Sequence, residues 1–184
     1  MIGTGLDLSL TGTGIARIEA SDAFPDPPLV QTVRIGSEAA GQDVAARSRR
    51  LRELAQEIIV HCAGSDWVGV ESPAYSSNTG SAHDRSGLWW LVIARLTAQG
   101  IPVFEVTSGT LKVFATGVGK GGKDKVLSET VRRYVDVVPN LSTNDEADAL
   151  TVAAMGWLHY TGEALVPLPQ THTRALKAIH WPTR

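Results

Sequence analysis

Ile2-Gly3-Thr4-Gly5-Leu6-Asp7 begins a stretch that continues through Leu8-Ser9-Leu10-Thr11 into Gly12-Thr13-Gly14-Ile15-Ala16-Arg17-Ile18. The first six residues mix glycine with branched and apolar side chains, and Thr11-Gly12 is turn chemistry. Together they predict two strands, Ile2 to Asp7 and Gly12 to Ile18, joined by a short turn. Leu29 to Ile35 alternates enough to predict a third strand. The proline-rich insert Asp22-Ala23-Phe24-Pro25-Asp26-Pro27-Pro28 reads as the loop before it. Three strands with short connections imply an antiparallel meander.

Beyond the meander the period changes. Leu51, Leu54, Ala55, Ile58, Ile59 and Cys62 recur at helical spacing, with Arg47, Arg49, Arg50 and Arg52 in the first half of that helix. Asp66 to Glu71 predicts a fourth strand, Ser72 to Ser86 a polar loop, and Leu88 to Leu96 a helix that is apolar nearly all round. Gly100 stops that helix, and Pro102 to Val106 predicts a fifth strand. Helices are expected at Lys125 to Tyr134 and Asn144 to Tyr160, the latter with Asn144 as N-cap. Residues 1–160 are expected to form one domain. Residues 161–184 should be a basic, proline-broken and poorly packed C-terminal tail. The order suits an α/β architecture, a five-stranded mixed sheet flanked by helices on both faces, and an RNase H-like fold is built this way.

Composition narrows the function. The chain has 184 residues, 43% of them hydrophobic and 20% charged, as in a globular domain with a real core. Its 17 Lys and Arg against 19 Asp and Glu give a formal charge of −2, which excludes a uniformly basic nucleic-acid coat. A single cysteine, Cys62, excludes an intramolecular disulfide framework and a cysteine-based zinc finger. No signal-like start or long apolar run is visible, so a cytoplasmic protein without a membrane partner is expected.

Four acids stand out by placement. Asp7 ends the first strand and Glu71 the fourth, while Asp145 and Asp148 stand at i, i+3 on one helix face. Carboxylates from two strand ends and a helix converge if those strands are neighbours and the helix crosses them. Hard oxygen ligands without His or Cys spacing point to Mg²⁺, with Mn²⁺ able to substitute. Two such ions roughly 4 Å apart would clamp a phosphodiester displacement. Taken singly, each acid reads more readily as an ordinary surface carboxylate, and it is the joint arrangement that favours a site.

Thr107 to Arg133 carries six basic residues (Lys112, Lys120, Lys123, Lys125, Arg132 and Arg133) against two acids. Gly117 through Lys123 matches the G-x-x-x-x-G-K frame of a phosphate-binding loop. Asp124 follows where a hydroxyl would hold Mg²⁺, which favours a basic loop on DNA phosphates over an NTPase. Tyr75, on the loop after Glu71, could stack on a base or wedge a base step, or else pack at the domain edge. His61, His83, His159, His172 and His180 lack metal-ligand spacing. Trp89-Trp90 reads as packing or interface.

With these residues in view, the chain resembles the RuvC-type Holliday junction resolvases, nucleases of RNase H-like fold with phage-type members among them. Gly5-Leu6-Asp7 is similar to their first-strand aspartate motif, and Val68-Gly69-Val70-Glu71 to the strand bearing their essential glutamate. Asn144-Asp145-Glu146-Ala147-Asp148-Ala149-Leu150 is similar to their Asp-x-x-Asp helix, and Lys112 with Gly117 to Val126 to their basic loop and helix. The resemblance implies that Asp7, Glu71, Asp145 and Asp148 are catalytic and hold two Mg²⁺ ions. Lys123 takes the place of the catalytic-loop lysine, and Lys112 that of a DNA-contacting lysine, with Lys120 and Lys125 beside them. The family's aromatic wedge falls three residues after the glutamate, where this chain has Ala74, with Tyr75 next.

The expected function is a Mg²⁺-dependent, structure-specific endonuclease that nicks branched DNA, four-way junctions above all. Alternatives are a looser fork and flap nuclease, a non-catalytic junction scaffold, and an ATP-binding protein of the actin and sugar-kinase kind suggested by Asp7 with Thr11-Gly12-Thr13-Gly14. Cutting both strands of a junction requires two sites, so a two-fold homodimer is expected, with the surplus apolar face of Leu88 to Ile93 as its surface. Arg174, Lys177 and Arg184 in the tail are expected to add DNA affinity.

Overall fold

A computed structural model describes residues 1–21, 24–39, 41, 43–73, 82–120 and 122–183, with the backbone alone at 24–26 and 123. The chain runs β1 (Ile2–Asp7), β2 (Thr13–Ser21), β3 (Phe24–Ile35), α1 (Val44–His61), β4 (Trp67–Glu71), α2 (Ala82–Ala98), β5 (Val103–Val106), α3 (Ser108–Thr116), α4 (Lys123–Tyr134), α5 (Asn144–Thr161) and α6 (Gln170–Thr173), then a 3-10 turn over Arg174–Ala178. The strands make one sheet in the order β3-β2-β1-β4-β5. The β1–β2 and β2–β3 pairs are antiparallel, and β1–β4 and β4–β5 are parallel. This is the mixed five-stranded sheet with helices on both faces that the order of elements predicts.

Strand alternation divides the apolar residues between two cores. Leu6, Ile15, Val68 and Val70 pack with Leu54, Ile58, Leu88 and Val92 of α1 and α2. Ala16, Ile18, Trp67, Phe104 and Val106 point the other way, onto Ala149, Leu150, Val152 and Ala153 of α5. Each fully buried Leu, Ile or Val contributes about 1.5–3 kcal/mol against exposure. Asp7 follows Leu6 and Glu71 follows Val70, so both acids stand on the α5 face.

Several boundaries differ from the expected ones. β3 begins at Phe24, inside the stretch read as a loop, and pairs there with Ser21 after a register shift beyond Glu19. It is an edge strand, where proline's missing N–H is tolerated. α2 starts at Ala82 and so takes residues assigned to the polar loop. The N-cap of α5 is Thr143 rather than Asn144: Thr143 is extended and its Oγ1 accepts from Glu146 N at 3.2 Å. Thr143 Oγ1 also donates to the Glu146 carboxylate at 2.7 Å, so one hydroxyl meets both the backbone N–H and the side chain of Glu146. α3 had no sequence counterpart; nine residues with one clear apolar face are too short for periodicity to decide.

The tail is well packed, contrary to expectation. His172, Ala175 and Ile179 are buried, and Leu165, Val166, Leu168, Leu176 and Trp181 lie against the α5-side core. The Trp181 ring stacks on His159 with centroids 3.7 Å apart and tilts onto Phe104 at 4.6 Å. Proline blocks a long helix there but leaves the apolar side chains free to pack. Among the described residues, no helix is long and apolar enough to cross a membrane.

Candidate metal centre

β1, β4 and β5 are parallel, so their C-terminal ends meet at one edge of the sheet. Leu6 pairs with Val70, which sets Asp7 and Glu71 side by side one residue further on; Glu71 pairs in turn with Val106. Trp89 Nε1 donates to the Glu71 carbonyl at 3.2 Å and fixes the backbone there. The third acid arrives because α5 lies very close to the sheet. A Cβ on Gly5 would come within 2.2 Å of the Ala149 carbonyl oxygen, and one on Gly14 within 1.9 Å of the Asp145 carbonyl oxygen. Glycine at these two positions lets the helix backbone rest on the strands, and Asp148 reaches the edge.

Asp7, Glu71 and Asp148 each offer a carboxylate oxygen, and the three oxygens lie within 4.8 Å of one another. All three residues are half-buried. At an effective dielectric of about 20, two ionised carboxylates at that separation repel by about 3 kcal/mol. A divalent cation between them reverses the sign of that energy. The donors are hard oxygens, a set suited to Mg²⁺ or Mn²⁺ and unsuited to softer metals.

Asp145 stands apart from this set. Its Oδ2 accepts from Arg34 Nε at 2.7 Å, an ion pair that spans β3 and the first turn of α5. The four acids expected to converge are therefore three together and one held by arginine.

The basic segment forms the α3–α4 connection. Lys112 is half-buried on α3, Lys120 is exposed between the helices, and Lys125 is exposed in the first turn of α4. Lys123 opens α4, but its side chain, like all of Tyr75, lies outside the described residues. The G-x-x-x-x-G-K frame thus follows a helix, whereas a nucleotide-binding loop of that kind follows a strand. Three basic side chains close the C-terminal end of α3. His172 Nδ1 lies 2.7 Å from the Phe114 carbonyl oxygen, Arg133 Nη1 donates to Ala115 O at 2.7 Å, and Arg174 Nη2 donates to Gly117 O at 3.1 Å. They satisfy carbonyls that the helix leaves open, and Gly117, at φ +76°, turns the chain away.

Arg34, Trp89, His172 and Arg174 thus support the site or its basic loop in ways the sequence pattern did not reveal. Arg34 pairs with Gly14, which pairs with Asp7, but that register is known only from the folded sheet, so no local spacing marks Arg34.

No family model matches the chain. It is 38% identical over 158 residues to the crossover junction endodeoxyribonuclease RuvC of Synechococcus sp. (strain WH7803), covering 83% of this chain and 96% of that protein. With RuvC of Cupriavidus pinatubonensis it shares 31% identity over 154 residues, 81% of this chain and 79% of that one. Among solved structures, Thermus thermophilus RuvC in complex with a Holliday junction superposes with a TM-score of 0.64 at 18% identity, covering 91% of this chain and 99% of that one. At that identity the likeness establishes the RNase H-like fold.

Proposed function

The chain belongs to the RuvC family of crossover junction endodeoxyribonucleases, and on that premise we propose that it nicks four-way DNA junctions at the Asp7, Glu71 and Asp148 centre. The observation that carries the reading is the convergence of these three carboxylates within 4.8 Å at the C-terminal edge of the parallel strands. Asp7, Glu71 and Asp148 would hold Mg²⁺, with Asp145 as a further ligand. When bound, the ion supplies Lewis-acid polarisation of a phosphodiester.

The chain's own residues supply position and charge. The sheet register holds the Asp7 and Glu71 carboxylates side by side, and α5 brings Asp148 onto them. Lys112, Lys120 and Lys125 give the scaffold a local positive surface for DNA phosphates on a chain of net negative charge. Lys123, at the start of α4, would offset charge that develops on the phosphate under attack.

We also propose a two-fold dimer, which would set two such centres against one junction. Trp90 is 64% exposed on α2, beside Trp89, its edge-on ring neighbour in the core. Burying that indole against a second copy would remove the surplus apolar face of the helix. Sedimentation should give twice the chain mass, and Trp90→Glu should give the single mass.

Cleavage of an end-labelled synthetic four-way junction tests the main reading. Product should form with Mg²⁺, stop on EDTA addition, and be far weaker on fork and flap controls. Cutting that continues in EDTA would overturn the metal assignment. Equal cutting of all substrates would replace junction selectivity with a broader branched-DNA activity.

A further inference from the structure

Arg34 shares a lateral row of the sheet with the acids. It pairs with Gly14 across β2–β3, and Gly14 pairs with Asp7 across β1–β2. Directly opposed residues of an antiparallel ladder share a face, so Arg34 and Asp7 both stand on the α5 side. Arg34 Nε donates to Asp145 Oδ2 at 2.7 Å and Nη2 donates to the Thr11 carbonyl at 3.1 Å. The pair is cradled by the β1–β2 turn: a Cβ on Gly12 would lie 2.2 Å from Arg34 Nη2 and 2.6 Å from Asp145 Oδ2. Asp145 precedes Asp148 by three residues, so the two share one face of α5.

An acid that belongs by position with three candidate metal ligands therefore already binds a cation supplied by the chain. We propose that Arg34 is a resident counter-ion that withholds Asp145 from the metal centre, so that a second divalent ion binds only by drawing this carboxylate away from the guanidinium. The inference rests on reading Asp7, Glu71 and Asp148 as a cation site. The first ion meets three convergent oxygens and need not disturb Arg34. The second must compete with a charge-assisted hydrogen bond, which separates the two affinities. That competition is modest, because the Arg34 side chain is 44% exposed and the Asp145 side chain 26% exposed, and solvent screens the pair. Arg34 acts through Asp145 and is a positioning residue.

Mn²⁺ titration of the full chain without DNA, at low ionic strength, tests this by calorimetry with free ion counted by electron paramagnetic resonance. Wild-type protein should show a tight and a weak class of site. Arg34→Gln should tighten the weak class by about 2- to 5-fold and leave the tight class unchanged, a range set by the worth of exposed ion pairs. Arg34→Lys, a shorter cation with looser geometry, should shift the weak class in the same direction by less, and it keeps the test open if the glutamine variant does not fold. Asp145→Asn should abolish the weak class alone. A weak class unchanged or weakened in both Arg34 variants would overturn the role of Arg34 and leave it a staple between β3 and α5. Wild-type protein that binds no Mn²⁺ at all would overturn the metal site itself.

Discussion

Asp7 and Glu71 finish neighbouring parallel strands one residue beyond the Leu6–Val70 pair, so strand register alone sets their carboxylates side by side. With Asp148 they make a set of oxygens within 4.8 Å. Asp7→Asn, Glu71→Gln or Asp148→Asn should each lower junction cleavage by about 100-fold or more, since each removes a charge from the centre. Binding should persist, because affinity comes from basic residues on phosphates. Parallel cleavage and mobility-shift gels check both halves.

The contact of α5 with the sheet depends on bare backbone at Gly14. Gly14→Ala would drive a methyl to 1.9 Å from the Asp145 carbonyl oxygen, and the helix must move. A loss of about 1–3 kcal/mol is expected in urea unfolding, as for other overpacked sites. Mn²⁺ affinity should fall with it, because the helix carries Asp148. Normal Mn²⁺ binding in this variant would show that the centre tolerates a displaced α5.

Arg47 Nε donates to Asp84 Oδ2 at 3.0 Å and joins the first turn of α1 to that of α2. This hydrogen bond holds the Asp84 carboxyl below its ordinary range against the opposing effect of desolvation. A depressed folded value means that the pair stabilises the fold above the ordinary carboxyl range. That contribution is lost as pH falls through the lowered value. Asp84→Asn should therefore be less stable near neutrality and lose less stability between about pH 5 and pH 2. Melting temperatures of both proteins across that range check the sign.

His172 and Arg174 serve the end of α3, so the tail should matter to stability more than to electrostatics. His172→Ala should cost about 1–3 kcal/mol, since it leaves the Phe114 carbonyl without this partner in a buried setting. Arg174→Ala should lower stability and leave the salt dependence of DNA binding unchanged. A salt slope reduced by about one would instead assign Arg174 to a phosphate.

The sequence discloses the acids because each sits at a marked place: a strand end after Gly5-Leu6, a strand end after Val68-Gly69-Val70, and a helix start. Their meeting requires that β1 and β4 be neighbours and that α5 lie across them. Asp145 was legible as a member of the i, i+3 pair but not as Arg34's partner, because 111 positions separate the two. The same holds for the tail, where His172 meets Phe114 across 58 positions. Local pattern carries information over one or two turns, and the partners that tune this site come from further away. Pro25, Pro27 and Pro28 misled for another reason: proline signals a loop unless the strand lies at an edge, and edge position is a property of the finished sheet.

The clamp on α3 also has a place in time. Asp148 is the last of the three acids to be translated, and His172 and Arg174 follow it by 24 and 26 residues. At about 5–20 residues per second the ribosome needs on the order of one to five seconds to make that interval. Emergence from the ribosome keeps the same order, so for that interval the root of the lysine loop has Arg133 alone of its three capping side chains.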